Sequence, residues 1–195
     1  MKIALLPFYL ELYDQVRPEN RAPLQGFVDE VAAQLEKLSF EVYKAPVCRL
    51  KDEFASAVKD IEDSGSQVIA TLHLAYSPSL EAADVLAKTA LPIVVLDTTP
   101  AAAFNTLDGT AIMQNHGIHG VQDLCNLLVR LKKPFLLAAG HWQNKDFLRE
   151  VSIKLHAATM AYDIKGMRVG TLGGEFAGMG DFQIPEGTFG IERVQ

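Results

Sequence analysis

The stretch Gln67-Val68-Ile69-Ala70-Thr71-Leu72, continued by His73-Leu74-Ala75-Tyr76-Ser77-Pro78, decides how this chain folds. Its first half is a short aliphatic and β-branched run with no alternating polar face. That is the pattern of a strand buried on both sides, and such strands belong to parallel sheets covered by helices. Its second half turns polar and reaches Ser77-Pro78, a hydroxyl residue before a proline, which predicts a helix opening there. Strand, loop and helix in this order make one βα unit.

The same unit recurs on either side. Strands are expected at Lys2 to Pro7, Glu41 to Val47, Gln67 to Leu72, Pro92 to Asp97 and Pro134 to Ala139. The first helix shows an apolar stripe of Leu24, Phe27, Val28, Val31, Leu35 and Leu38, with Pro23 near its first turn, and the second uses Phe54, Val58 and Ile61. A third follows Ser77-Pro78, a fourth runs from about His119 with Val121, Leu124, Cys125 and Leu128 inward, and a fifth turns Phe147, Val151, Leu155, Ala158 and Tyr162 to the core. Unbroken alternation with right-handed crossovers predicts a doubly wound, flavodoxin-like α/β domain whose five parallel strands are ordered 2-1-3-4-5.

Beyond the fifth helix the pattern changes. Met167 to Leu172 reads as a sixth strand; Gly173, Gly174, Gly178, Gly180, Pro185 and Gly187 then crowd together, and Gly190 to Val194 reads as a strand cut off from its partners. Residues 1–165 are therefore expected to form an N-terminal α/β domain, and 166–195 the truncated start of a second domain in a separate layer. Gly170-Thr171-Leu172-Gly173-Gly174 invites a dinucleotide-loop reading, which fails because Asp181 to Pro185 does not continue as the helix that would receive a pyrophosphate.

With 195 residues, 49% of them apolar, the chain can bury a substantial core. A net charge of -6 offers no basic surface to nucleic acid, and the clump of Arg130, Lys132 and Lys133 falls where a helix should end and complement its dipole. Two cysteines without metal-ligand spacing, Cys48 and Cys125, read as reduced packing residues. The apolar run Ile3 to Leu6 is too short, and Glu11 and Asp14 come too soon, for a signal peptide. A cytoplasmic protein without membrane insertion is expected.

In open α/β sheets ligands bind beyond the carboxyl ends of the strands. Those ends carry Phe8 to Asp14, then His73 to Pro78, then Asp97-Thr98-Thr99-Pro100 with Asn115-His116-Gly117-Ile118-His119-Gly120, and finally Gly140-His141-Trp142-Gln143-Asn144. Four of the five histidines and the sole tryptophan thus fall on one rim. Aromatic rings and imidazoles beside small polar residues suit a sugar, which presents apolar faces and hydroxyls that need fixed partners.

The runs HLAYSP (73–78), NHGIHG (115–120) and GHW (140–142), in this order, resemble the L-arabinose and L-fucose isomerase superfamily, and RVGTLGGEFAGMGDF (168–182) resembles the crossing between its first two domains. The resemblance covers most of the chain. It implies a longer, homo-oligomeric enzyme that converts an aldose to a ketose through an enediol, with a divalent metal, usually manganese, held by acidic and histidine ligands of later domains. None of those ligands has a counterpart here, so the chain alone is expected to bind no metal and to be inactive. The N-terminal domain of that family approaches a neighbouring subunit's active site and supplies part of its substrate wall. By motif position Tyr13, Tyr76 and His119 correspond to that wall. His116 joins them in place of a glutamine, and Leu10 stands at another glutamine position.

Each residue also has a plainer reading. Tyr13 can pack a loop on the first helix. His116 and His119 can bind backbone at a helix start, or pair on a metal, although no carboxylate accompanies them. His73 and His141 fit satisfied core positions, His156 surface packing, and Asp97 is unassigned. Against the isomerase reading stands a stand-alone sugar-binding or sensing module whose strand-end crevice is the whole site.

Overall fold

The computed structural model describes residues 1–105, 109–170, 172–173, 178–180, 185 and 187–194. β1 (Lys2–Phe8), β2 (Glu41–Lys44), β3 (Val68–His73), β4 (Ile93–Asp97) and β5 (Phe135–Ala139) form one parallel sheet in the order β2-β1-β3-β4-β5. This is the expected doubly wound topology. Because strand side chains alternate, Ile3, Leu5, Val68, Ala70, Leu72, Val94 and Leu96 pack one face against α2 (Arg21–Lys37) and α7 (Lys145–Ile164). Ala4, Leu6, Phe8, Ile69, Ile93 and Val95 pack the other against α3 (Lys51–Asp63), α4 (Leu80–Lys88) and α6 (Gly117–Arg130). β3 is buried along its whole length, as a run without an alternating polar face requires.

α2 buries Leu24, Phe27, Val28, Val31, Ala32 and Leu35 on one stripe, and the chain turns out of it through Ser39 at φ 70°. Gly26 lies on its exposed side, where an added Cβ meets nothing within 4 Å. Gly26→Ala is therefore expected to stabilise the protein by about 0.5–1 kcal/mol, because alanine loses less backbone entropy in a helix. A rise in the urea midpoint at unchanged slope is the readout, and a fall would show a contact that this face does not reveal.

Several expected boundaries move, each for a tertiary reason. The helix after β3 begins at Leu80, not at Ser77-Pro78. Ser77 is buried, the Ser79 N–H donates to Asp123 Oδ2 at 3.0 Å, and Ser79 Oγ donates to the Gly120 carbonyl at 3.1 Å. The Ser79 N–H that a Ser77 cap would have used is thus taken by α6, and Ser77 Oγ is left without a partner. Tyr162, expected inward, is 38% exposed. The 20 residues of α7 run about 30 Å, whereas the five of β5 cover only about 17 Å, so the last turn overhangs the sheet. α6 starts at Gly117 rather than His119, and two short helices, α1 (Glu11–Val16) and α5 (Gly109–Gln114), occupy stretches that read as loop.

At the other end of the chain, β6 (Arg168–Gly170) pairs in parallel with β7 (Glu192–Val194) in a two-stranded sheet separate from the main one. The segment that read as a strand without partners thus has one. The Glu192 N–H donates to the Met167 carbonyl at 3.0 Å, and Arg168 Nε lies 2.9 Å from Glu192 Oε2. Gly174 and residues 181–184, on which the dinucleotide-loop reading turned, lie outside the described residues. Among the described residues no helix is long and apolar enough to cross a membrane. Both cysteines are free, Cys48 buried and Cys125 half-buried.

Candidate functional site at the carboxyl edge

The chain leaves β1 for the α2 face and leaves β3 for the α3/α4/α6 face, so these neighbouring strands send their loops apart and open a crevice between them. On the β1 side stand Tyr9 and Tyr13, their rings edge to face at 5.9 Å. Tyr13 is half-buried against the α2/α7 core, whereas Tyr9 is 1% exposed with the Arg21 guanidinium 5.2 Å from its ring centre. Burial, helped by the nearby Asp14 carboxylate, raises the Tyr9 phenol above its ordinary pKa.

Asp14 ties this loop down. It accepts from Arg21 Nη1 at 3.1 and 3.3 Å and from Arg49 Nη1 at 2.7 Å, and Arg49 also grips both oxygens of Glu53. The Arg49 hydrogen bonds hold the Glu53 carboxyl below its usual range. Two arginines and two carboxylates neutralise one another, so this cluster is a brace for the β1 and β2 ends rather than an anion site.

On the β3 side His73 is 2% exposed and stacks on Phe8 at 4.5 Å. Burial alone pushes its pKa down to about 3, so it is a neutral imidazole at physiological pH. Tyr76 is half-buried in the loop that follows. His116, the N-cap of α6, and His119 in its first turn stand with ring centres 4.2 Å apart, the first half-buried and the second exposed. Of the four expected site residues the structure thus brings His116 and His119 into contact. It places Tyr13 on α1, in the connection after β1, and Tyr76 in the loop after the adjacent β3. No ring contact or hydrogen bond links either tyrosine to the histidine pair among the described residues.

The other rim residues hold the loops. Asn115 Oδ1 accepts from the Ala101 N–H at 2.7 Å while its Nδ2 donates to the Ala111 carbonyl at 2.7 Å. Trp142 Nε1 donates to the Pro100 carbonyl at 3.3 Å, and His141 Nε2 lies 3.3 Å from the same oxygen. Asn144 caps α7 by accepting from the Asp146 and Phe147 N–H groups at 2.8 and 3.2 Å. Gln114 Nε2 reaches across to Asn20 Oδ1 at 3.2 Å, joining the β4 connection to the β1 connection. The GHW and Asn115 motifs therefore clamp the loop after β4. Asp97 is half-buried with its pKa raised by burial.

Among the described residues, the buried side-chain groups without a hydrogen-bond partner are Tyr9 Oη, Thr71 Oγ1, both His73 nitrogens, Ser77 Oγ and Thr98 Oγ1. All except Thr71 lie at this edge, a concentration of unmet polar groups of the kind found at binding sites. Sequence reasoning missed Tyr9 and the role of His73. The signal for Tyr9 was its place immediately after the first strand, and for His73 the pair of glycines, Gly117 and Gly120, that proves to face it.

No family model matches this sequence. The curated proteins likewise give no match. Among the described residues no three His, Cys, Asp or Glu side chains are grouped to hold a metal ion. Among the described residues a groove of about 600 Å³ lies against the end of α7, lined by Ala161, Ile164, Lys165 and Gly190.

Proposed function

We propose that this chain is the N-terminal part of an aldose–ketose isomerase of the L-fucose/L-arabinose type, in which its carboxyl edge forms one wall of a sugar pocket that other polypeptide completes. The observation that carries this reading is the openness of the edge. Its connections expose Leu12, Val16, Leu80, Phe104, Ile112 and Ile118, each more than 40% accessible, around aromatic and imidazole groups that suit a polyol. A wall that is covered on assembly accounts for both features, and a homo-oligomer is the proposed assembly. Proton transfer between adjacent carbons needs a base and an electrophile at the carbonyl, and these, with a divalent metal such as manganese, are assigned to the remainder of the enzyme. A stand-alone sugar-binding module is the second reading, favoured by the unpartnered buried hydroxyls at the same edge.

Two measurements separate them. The chain with added manganese is expected to give no ketose from aldopentoses or 6-deoxyaldohexoses, and metal-dependent turnover by it alone would overturn the division of labour. In the longer enzyme, Tyr76→Ala or His119→Ala is expected to lower kcat/KM about tenfold, the effect of losing one contact of about 1–2 kcal/mol. Unchanged kinetics in both, with assembly intact, would remove the substrate wall. Sugar binding by the isolated chain with millimolar or better affinity, without turnover in any longer form, would favour the module.

A further inference from the structure

We propose that His73 is a positioning residue: its imidazole face is the seat on which the first turn of α6 rests, and it sets where His116 and His119 stand at the rim. The inference rests on the sugar-wall reading of that pair.

Gly117 and Gly120, three residues apart, occupy one face of the helix, and both meet His73. A Cβ on Gly120 would lie 2.6 Å from His73 Cδ2 and 3.1 Å from Ser77 Oγ, and one on Gly117 would lie 2.6 Å from the His73 carbonyl oxygen and 3.2 Å from its Cβ. The helix has no side chain on this face, so Gly120 lies against ring atom Cδ2 and Gly117 against the His73 main chain and Cβ. The ring itself is stacked on Phe8, with centroids 4.5 Å apart. It holds nothing by hydrogen bonding, since neither nitrogen has a partner, and no charged group of β1, α6 or the Tyr76 loop acts on it. What it supplies is a flat, incompressible surface. With Gly117 and Gly120 turned inward, His119 falls on the outward side of the same turn and His116 at its start, so any displacement of the turn moves both imidazoles together.

Histidine side-chain NMR of the chain tests this, with the cross-relaxation between the His116 and His119 rings reporting their placement. His73→Ala, which empties the seat, and Gly120→Ala, which wedges the helix away, are each expected to shift both ring signals and to weaken or abolish that contact. Ile118→Ala, at an exposed position of the same turn, should leave it intact. Where the chain responds to an aldose, the two displacing variants should lose tenfold or more in affinity at unchanged folded fraction. A His116–His119 contact that survives in folded His73→Ala overturns the seat, and a displaced pair with full sugar affinity overturns the positioning role. Should either variant not fold, His73→Leu, which keeps most of the volume but not the flat face, carries the same readout. His73→Ala separating the pair, while Tyr76→Ala and His119→Ala leave kcat/KM of the assembled longer enzyme unchanged, would keep the seat and remove the sugar-wall reading.

Discussion

Acidification from pH 7 to 5 is expected to cost the fold about 2 kcal/mol through His73 alone, rising to about 3 kcal/mol at pH 4. In the folded chain burial keeps this imidazole neutral down to about pH 3, whereas in the unfolded chain it takes its proton near 6.5. The unfolded state therefore binds more protons throughout that window. The stability associated with neutral His73 is fully present above about pH 6.5 and is lost as the pH falls toward 3. Carboxylates titrate in the lower part of the range, so the measurement is a difference: urea unfolding of the wild type and of His73→Leu at matched pH. The leucine keeps the volume under α6 and removes two nitrogens that have no partner. The gap between the two proteins should move in favour of the variant by about 2 kcal/mol from pH 7 to 5. Parallel pH profiles would mean that the imidazole reaches water or a partner in the folded state.

The second large effect is Gly117→Ala, expected to cost about 3 kcal/mol, at the upper end of what overpacking does. The added methyl would sit 2.6 Å from the His73 carbonyl oxygen and 3.3 Å from its carbonyl carbon. These are main-chain atoms at the end of a fully buried strand paired on both sides. No flexible side chain is there to swing aside, so either α6 slides along the sheet or the strand end distorts. Gly26→Ala is the natural companion, the same chemical change on a helix with open space around it, and the two should differ in sign. A loss below about 1 kcal/mol at Gly117 would show that α6 can ride outward at little cost, against the density expected of such a core.

Much of the architecture was legible because it depends on local pattern. The aliphatic and β-branched run Val68 to Leu72 has no alternating polar face and is satisfied between two helical layers, and similar runs at Ile3 to Leu6 and Ile93 to Leu96 point to a parallel sheet. Crossover handedness then leaves few strand orders, and the observed β2-β1-β3-β4-β5 is the one expected. The rim was legible for the same reason: strand ends locate a ligand edge whatever the ligand.

What the sequence could not decide were matters settled by contacts between distant segments. Ser77-Pro78 has the local chemistry of a helix start, yet α6 holds Ser79 from 41 and 44 residues away and the helix starts at Leu80. Tyr162 continues an inward stripe by spacing, but whether a sheet lies beneath it depends on the length of strands elsewhere in the chain. His73 is the plainest instance. It reads as a satisfied core histidine and is buried, but nothing in its neighbours reveals that neither nitrogen finds a partner or that two glycines 44 and 47 positions later let a helix close over it. The sequence by itself determined the fold class and the strand order, because hydrophobic periodicity is a local property read residue by residue. Only the tertiary structure decided which rim residues are clamps, which is a seat and which face solvent, because burial and close approach are properties of pairs that the chain brings together only when it folds.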